Sequence, residues 1–498
     1  MATEQEILAS RRARAERLRE RGVELFPARV PRDRTPIPEI LARFGDADAA
    51  ALAAAAVSFC VAGRIVALRS FGKMAFATLQ GDGEGLQVWL KKDALGESVW
   101  ETVRLYEVGD FIYARGTLVR TQKGELSIEA SEQGFLAKSY RPLPEKFHGL
   151  QDVEARYRQR YLDVLTNPES RQIFVKRSRA ISAIRDFLDT RGFLEVETPI
   201  LQPLYGGAHA RPFTTVHNTY DQTLFLRVSF ELYLKRLVIG GLDRVYEIGR
   251  DFRNEGVSKK HNPEFTMLEV YQAYADFEDM MELVEGMVVH AAERAVGTLT
   301  IERDGRRLDL TPPWPRRAMA DLIREACGVD IHRANELDAL RAAVKQAGVP
   351  DVDPAAATSW AGLVDDVFSQ TVEPGLFSPT FVVEYPAALS PLAKREAGRP
   401  QMVERFEGFI GGMELCNAFS ELNDPDDQRR RFLEQVEASR AGDAGAQPLD
   451  EDFLRALEHG MPPTGGMGMG IGRLAMILTG SSHLREVKLF PHLRPRDD

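Results

Sequence analysis

The residues best suited to do chemistry lie within residues 250–274. The pattern there predicts a strand, a charged turn and a returning strand, on which Phe265, Glu269 and Tyr271 share one face. Because a buried carboxylate costs roughly several kcal/mol unless it is paired, Glu269 needs a cationic partner. Arg253 presents a planar fork suited to a phosphate or a carboxylate. The stretch therefore predicts a pocket for a zwitterionic, phosphorylated ligand, and an ordinary hairpin with a solvated charged tip is the alternative.

Three further carboxylates, Glu407, Glu414 and Glu421, recur at intervals of seven residues. Magnesium that binds together with substrate phosphates needs only one or two protein carboxylates. Carboxylate clusters are more often solvated surface than metal sites, but the apolar residues 409–412 predict a buried strand between the first two glutamates. The segment therefore favours a sparse metal site of this kind.

A strand with glycine at nearly every second position is predicted over residues 465–470, followed by a helix that contains Arg473. Each interior glycine costs about 0.5 to 1 kcal/mol relative to alanine, so such a strand is unfavourable unless something must approach its backbone. A nucleotide held between Phe265 and Arg473 would be that group.

These segments resemble motifs 2 and 3 of the class II aminoacyl-tRNA synthetases, in the form found in lysyl-tRNA synthetases of the bacterial type. The motif 2 resemblance rests on residues 253–255 and 261–269, and the predicted helix over residues 171–191, followed by a strand and Pro199, is similar to motif 1. One position departs from the family pattern: Gly472 stands where an acidic residue usually precedes the motif 3 arginine, which removes an expected partner of Arg473.

The resemblance implies that lysine is activated with ATP and Mg²⁺ to lysyl-adenylate and is then transferred to tRNA(Lys), by a homodimer formed through motif 1. It implies catalytic roles for Arg253 and Arg473. The ATP-binding residues it implies are Arg253, Glu255, His261, Asn262, Phe265, Glu407, Glu414 and Arg473, of which Glu407 and Glu414 would bind the metal. The lysine-binding residues it implies are Gly207, Glu231, Glu269, Tyr271, Asn417, Phe419 and Glu421. Among these, Gly207 and Glu231 would bind the α-amine, Glu421 with Tyr271 the ε-amine, and Glu269 would add negative field.

Short β-patterned runs separated by glycines predict a small all-β barrel from about residue 57 to residue 133. One of its faces combines aromatic rings with amides and carboxylates, which suits the stacking and reading of unpaired bases. Solvated surface residues of ordinary kind are the alternative. By the same resemblance, Phe76, Gln87 and Glu125 would hold the central base of the anticodon.

The fold class predicted is α+β, with an N-terminal OB-fold barrel followed by a class II synthetase catalytic domain whose antiparallel sheet is flanked by helices. The domain limits predicted are a basic N-terminal helix and connector over 1–56, the anticodon-binding barrel over 57–140, a linker over 141–155 and the catalytic domain over 156–498. The arginine-rich helix within residues 7–21 is either a solvated face or a surface for tRNA phosphates, and the sequence leaves both open.

The composition is that of a soluble globular protein, with 44% hydrophobic and 28% charged residues. A net charge of −10 excludes a general, histone-like affinity for nucleic acid but allows a local basic surface. The three cysteines lie far apart with no Cys-x-x-Cys, so neither a disulfide framework nor a zinc ribbon is expected. The acidic N-terminus and the short alanine-rich run at residues 49–56 predict a cytoplasmic protein without a membrane partner.

Three alternative functions remain. An aspartyl or asparaginyl enzyme shares the architecture, but Glu231, Glu269 and Glu421 would repel an acidic substrate. A paralogue that lysylates a protein lacks the barrel that this chain has. An RNA-binding or regulatory protein with a degenerate synthetase domain is supported by Gly472 alone.

Overall fold

The computed structural model describes residues 3–144, 150–440 and 445–495. Residues 145–149, which belong to the predicted linker, lie outside this description. The chain forms two compact units, Met1–Arg171 and Gln172–Asp498.

The first unit contains a closed five-stranded barrel in the order β1-β2-β3-β5-β4. Its strands are β1 (Ser58–Phe71), β2 (Met74–Gly81), β3 (Glu84–Lys91), β4 (Phe111–Arg120) and β5 (Leu126–Ala137). In β3 the apolar Val88 and Leu90 are fully buried, while Gln87 and Trp89 face outward and are partly exposed. The alternation therefore confirms both the predicted barrel and its polar face.

Seven helices of the described chain accompany the barrel. They are α1 (Glu4–Glu20), α2 (Ile37–Phe44), α3 (Ala49–Ala55), α4 (Lys92–Leu95), α5 (Glu97–Val103), α6 (Val153–Arg158) and α7 (Arg160–Thr166). The buried Arg11 of α1 donates to the carbonyl oxygens of Val108 at 3.0 Å and Ser139 at 3.1 Å. Arg14 pairs with Glu107 at 3.4 Å. Part of the basic charge of α1 is therefore used to hold this helix on the barrel.

The second unit is built on a nine-stranded sheet whose path runs β14-β15-β17-β18-β19-β11-β10-β6, with β16 paired to β17. Its strands are β6 (Leu194–Glu195), β10 (Arg244–Phe252), β11 (Glu264–Ala273), β14 (Arg316–Ala318), β15 (Thr380–Pro386), β16 (Arg395–Glu396), β17 (Arg399–Phe409), β18 (Glu414–Ser420) and β19 (Thr464–Gly470). The strands between β15 and β10 are antiparallel, and only the pairs β14/β15 and β10/β6 are parallel. The predicted antiparallel catalytic sheet is thus confirmed.

Two smaller sheets and nine helices complete the description of this part of the chain. The strands are β7 (Leu201–Gln202), β8 (Phe213–His217) and β9 (Gln222–Leu226) in one sheet, and β12 (Thr300–Arg303) with β13 (Arg306–Asp309) in the other. The helices are α8 (Pro168–Asp189), α9 (Glu231–Ile239), α10 (Phe277–Ala295), α11 (Met319–Cys327), α12 (Leu337–Ala347), α13 (Trp360–Thr371), α14 (Pro425–Arg440), α15 (Glu451–Glu458) and α16 (Ile471–Thr479).

The main core lies under one face of the sheet, where α10 and α16 pack. Met287 of α10 and Ile477 of α16 belong to the same buried cluster as Leu268 of β11 and Met469 of β19. Because successive residues of a strand point to opposite faces, the alternate residues of β11 and β19 face away from this core. That opposite face carries the polar residues predicted to do chemistry.

The buried strand predicted across residues 409–412 is wrong beyond Phe409, which is buried and ends β17. β18 begins at Glu414, so residues 410–413 form the turn of a hairpin. Gly411 and Gly412 adopt φ values of 65° and 73°, which favour glycine. A short apolar run with two glycines fits either a strand or a turn, and the positive φ values decide for the turn.

Among residues 3–144, 150–440 and 445–495, no helix combines the length and apolar character needed to cross a membrane.

Candidate active site

A cavity of about 440 Å³ lies over the face of β11, β19 and β18 that points away from the core. Its floor is made by cross-strand rows in which Tyr271 and Phe419 flank Gly466, and Glu269 flanks Gly468. The predicted residues on the cavity wall are Gly207, Glu231, Arg253, Glu255, His261, Asn262, Phe265, Glu269, Tyr271, Asn417, Phe419, Glu414, Glu421 and Arg473. Of the predicted ATP and lysine residues, only Glu407 is not on this wall.

Side chains of the protein itself approach the glycine-rich strand β19 closely. A Cβ atom on Gly466 would lie 1.9 Å from Oε1 of Glu421 and 2.7 Å from Cε1 of Tyr271. On Gly468 it would lie 3.1 Å from the terminal methyl of Met267. The absence of a side chain at Gly466 therefore makes room for a carboxylate of the protein itself.

Glu269 lies in the middle of the cavity, fully buried, and accepts hydrogen bonds from Ser229 Oγ at 2.7 Å and from the Tyr271 hydroxyl at 3.1 Å. Burial raises the pKa of Glu269 to about 8, with the nearby carboxylates of Asp251 and Glu231 adding to the effect. An empty pocket therefore keeps this group protonated at neutral pH, and a cation entering beside it would favour the ionised form.

Glu231 and Glu421 share one buried ammonium, that of Lys235. Lys235 Nζ donates to Glu231 Oε1 at 2.5 Å and forms an ion pair with Glu421. Burial raises the pKa of Glu421 well above its usual range although Lys235 opposes this. Apart from this ion pair, neither carboxylate oxygen of Glu421 has a hydrogen-bond partner within the described chain, and both oxygens are buried. A ligand ammonium beside Glu421 would supply a missing donor.

Gly207 approaches these groups through a backbone with φ of 86°. Its N–H donates to Oε1 of Gln447 at 3.0 Å, and a Cβ there would lie 2.8 Å from Ser229 Oγ and 3.1 Å from Cβ of Glu231. Only glycine fits at this point. Ser229, Lys235 and Gln447 carry no prediction from the sequence, although Lys235 follows Glu231 by one helical turn, the spacing at which two side chains meet.

Cationic groups lie at the other end of the cavity. Arg253 lies over the ring of Phe265 at 5.1 Å. Arg473 donates to the backbone oxygen of Glu414 at 2.7 Å and to its Oε2 at 2.9 Å, and its other amino group lies 3.3 Å from Nε2 of His261. Burial and the neighbouring Arg473 lower the pKa of His261, which keeps this ring neutral. Two arginines that face an open cavity suit a polyphosphate.

The two glutamates predicted to bind the metal are placed differently. Glu414 lies on the wall, and Arg473 keeps its pKa below the usual value although burial alone would raise it. Glu407 lies behind the wall, where it accepts from the Tyr385 hydroxyl at 2.9 Å and from Arg405 at 2.5 Å. Burial raises the pKa of Glu407 to about 7, with Arg405 opposing and Glu414 contributing. Among the described residues, no group of three or more His, Cys, Asp or Glu side chains could hold a metal.

The space beside Gly472 is filled by an apolar side chain. A Cβ atom on Gly472 would lie 2.6 Å from Cδ1 of Leu484, and both residues line the cavity. The acidic residue that the family pattern has here would need Leu484 to move. The sequence alone shows the departure at Gly472 but not the residue that accompanies it.

On the barrel, two of the predicted anticodon residues, Phe76 and Gln87, lie on the adjacent strands β2 and β3. Phe76 of β2 stacks on Trp89 of β3, with ring centroids 5.5 Å apart and planes at 17°. Gln87 accepts from Ser127 Oγ at 2.9 Å, and the exposed Glu125 precedes β5. The face therefore presents an aromatic surface next to amide and carboxylate groups, which is the arrangement needed to stack and read an unpaired base.

Two family models match the chain: tRNA synthetases class II (D, K and N) over residues 152–494, and the OB-fold nucleic acid binding domain over residues 59–132. The curated lysine–tRNA ligase of Moorella thermoacetica is 50% identical over 501 residues, which cover 100% of both chains. That of Chloroflexus aurantiacus is 52% identical over 496 residues and 99% of both chains. The chain therefore belongs to the class II tRNA synthetases, and within them to the lysine–tRNA ligase family.

Proposed function

We propose that the chain activates L-lysine with ATP to lysyl-adenylate and pyrophosphate, and transfers the lysyl group to the 3′ end of tRNA(Lys). One observation carries the proposal: three buried carboxylates, Glu231, Glu269 and Glu421, share a cavity with Arg253 and Arg473. A ligand with two amines and a carboxylate fits the first group of residues, and a triphosphate fits the second. The names of the relatives agree with this substrate.

Activation needs no protein nucleophile. The carboxylate of lysine attacks the α-phosphorus in line, the new oxygen–phosphorus bond forms, and pyrophosphate leaves with the electron pair of the broken bond. Arg253 would bridge the lysine carboxylate and the α-phosphate, Arg473 would hold the far end of the triphosphate, and Phe265 would support the adenine. Holding two reactants in place and neutralising phosphate charge are sufficient for this class of reaction.

The geometry supports a division of the two amines that differs from the sequence-based assignment in the roles of two residues, Glu231 and Glu269. Along β11, Glu269 lies between Phe265, at the phosphate end, and Tyr271, at the far end. Glu231 and Glu421 share the Lys235 ammonium and therefore lie close together beside Tyr271 and Gly466. We therefore place Glu269 at the α-amine and Glu231 with Glu421 and Tyr271 at the ε-amine. Gly207 lies against Ser229, which donates to Glu269, and against Glu231, so it would border both groups. Asn417 and Phe419 complete the wall between them.

Selectivity for lysine follows from these pairs. A site built to pair a buried charge rejects an analogue that lacks it far more strongly than an apolar pocket rejects a missing methylene, because the carboxylate is left unpaired. Norleucine, which lacks the ε-amine, should therefore be excluded by Glu421. An acidic amino acid would meet three carboxylates and be repelled.

Magnesium is part of the proposal because Glu407 and Glu414 suit a hard divalent cation. Both supply oxygen atoms from paired strands, and burial together with Glu414 raises the pKa of Glu407 against the opposing Arg405, so a cation beside them would be favourable. When bound, the ion would offset the charge that develops on the phosphates. Glu414 would contact it from the wall. Glu407, whose oxygens accept from Tyr385 and Arg405 behind the wall, would add negative charge near the ion.

The proposal extends to a homodimer that works in the cytoplasm, where ATP and tRNA are available. β6 is an edge strand of the large sheet. Leu194 in it is 51% exposed and lines a shallow depression with Leu242 and the 75% exposed Tyr274. Large apolar side chains at an open sheet edge favour pairing with a second copy.

Exchange of pyrophosphate into ATP with Mg²⁺ and no tRNA tests the activation step. The wild type should exchange with L-lysine and not with L-arginine, L-aspartate or norleucine. Glu421→Gln, which keeps the size of the side chain but removes its charge, should lower lysine-dependent exchange about a hundredfold or more, since a charged hydrogen bond is lost in the buried site. The control is Glu325→Gln, which changes an exposed glutamate of α11.

A wild type without exchange would contradict the proposal. If Gly472→Asp together with Leu484→Ala then restored exchange, the chain would be a degenerate synthetase with an RNA-binding or regulatory role. Leu484→Ala is included because its side chain occupies the space that the aspartate needs.

A further inference from the structure

We infer that Lys235 is a positioning residue for the substrate: a resident ammonium that holds Glu231 and Glu421 side by side so that the ε-ammonium of lysine completes an arrangement of two carboxylates and two cations. This inference rests on the proposed function, since it assigns a role within the same lysine pocket. It adds a residue that does not itself touch the substrate.

The geometry places Lys235 behind the carboxylates. α9 begins at Glu231, and Lys235 follows one turn later on the same face. Its side chain is completely buried, and its Nζ contacts Glu231 on its own helix and Glu421 after β18. Both glutamates lie on the cavity wall described above, whereas Lys235 does not. The ring of Phe419 lies 5.5 Å from Nζ and closes the remaining side.

In an ion pair with a purely structural role, each charged group would have one oppositely charged partner. Here one ammonium is shared by two carboxylates, so it can neutralise only one of them when both are ionised, and burial raises the pKa of Glu421 well above its usual range. Apart from the ion pair with Lys235, neither oxygen of Glu421 has a hydrogen-bond partner within the described chain. A buried carboxylate with an unpaired oxygen is unfavourable unless another donor arrives. The position beside Gly466, on the cavity side of Glu421, is where such a donor would enter.

The charges in the pocket support the same conclusion. Three carboxylates, Glu231, Glu269 and Glu421, face two substrate amines, which would leave one buried negative charge unpaired. Lys235 supplies the third cation, and Arg253 neutralises the carboxylate of the substrate. With Lys235 the liganded pocket is neutral, and without it every bound lysine would leave an unpaired charge in a buried site.

The titratable groups around this arrangement are few in the described chain. Glu231 faces Lys235 from α9 and Glu421 from the end of β18. Glu269 and Tyr271 of β11 lie beside these two glutamates. Burial alone would lower the pKa of Lys235, but Glu231 and Glu421 raise it, so the ammonium stays charged. Removing it should raise the pKa of both glutamates further, because the cation that opposes burial is lost.

The test compares Lys235→Met with Arg236→Met. Both changes remove one cation from adjacent positions of α9, but Arg236 pairs with Asp450 at 2.8 Å and Asp452 at 3.3 Å, away from the substrate pocket.

The measurement is KM for lysine and, separately, KM for ATP in pyrophosphate exchange between pH 6 and 9. Lys235→Met should raise KM for lysine at pH 7 at least tenfold and change KM for ATP less than twofold. Its kcat/KM for lysine should reach its plateau at least one pH unit higher than in the wild type, because the glutamates lose their protons later. Arg236→Met should change neither quantity.

The inference is overturned if Lys235→Met keeps the wild-type KM for lysine and pH profile, or raises both KM values equally. If Lys235→Met does not fold, Lys235→Gln, which keeps a donor but no charge, is measured in the same way, and failure of both variants to fold would assign Lys235 to the core instead. A wild type that shows no lysine-dependent exchange would be a different result, because it removes the proposed function before Lys235 is tested.

Discussion

Gly466→Ala should abolish recognition of lysine while leaving the fold and ATP binding intact. Gly466 does not have a positive φ, so alanine fits the backbone of β19. The added methyl, however, would lie 1.9 Å from Oε1 of Glu421, whereas ordinary contact begins at 3.4 Å. The carboxylate must therefore move by about 1.5 Å, the difference between these two distances.

This displacement sets the expected size of the effect. A binding constellation must be held within about 0.5 Å, and an error of about 1 Å costs about a hundredfold in rate. We therefore expect kcat/KM for lysine to fall at least a hundredfold, which corresponds to about 2.7 kcal/mol.

The assay is pyrophosphate exchange with KM determined separately for lysine and for ATP, and Gly470→Ala is the matched control. It adds the same methyl to the same strand face, where the nearest atom would be 3.6 Å away. KM for lysine should change less than threefold in this control. If Gly466→Ala and Gly470→Ala had the same KM for lysine, Glu421 would not be the group that binds the ε-amine beside Gly466. The proposed placement of the ε-amine would then be refuted.

Three further outcomes are expected. Burial raises the pKa of Glu269 to about 8, so its proton must leave when an amine binds; lysine affinity measured by calorimetry should therefore rise with pH between pH 6 and 8, and flat behaviour in the wild type would count against the role of Glu269. Phe76→Ala should raise KM for tRNA about tenfold in aminoacylation, since stacking on a ring contributes about 1 to 3 kcal/mol per base, while tRNA-independent exchange stays unchanged. Leu194→Asp should shift the sedimentation coefficient from that of a dimer to that of a monomer, and an unchanged dimer would place the interface elsewhere.

Local patterns predict most of the fold and much of the cavity wall. A period of two placed Phe265, Glu269 and Tyr271 on one face of β11, and alternate glycines marked the floor in β19. Short β-patterned runs separated by glycines likewise indicated the barrel. These features depend on neighbours in the chain, which a sequence shows directly.

What could not be predicted depends on distant residues or on ambiguous runs. The ion pair of Lys235 with Glu421 joins α9 to the end of β18. The two residues are far apart in the sequence, so no periodic pattern of residue types predicts their contact. Glu407 lies behind the cavity wall because Tyr385 of β15 and Arg405 of β17 donate hydrogen bonds to it. Tyr385 is distant from Glu407 in the sequence, so no local signal predicts this position. The apolar residues 409–412 fit a strand as well as a turn, because a short run has no period of its own.

The contact between Gly472 and Leu484 couples two positions of the cavity wall. A Cβ atom at position 472 would lie 2.6 Å from Cδ1 of Leu484, so a larger residue there would turn this side chain aside. Because that methyl is the free end of a flexible side chain, the backbone of α16 need not move. The rotamer of Leu484 would therefore report which residue occupies position 472.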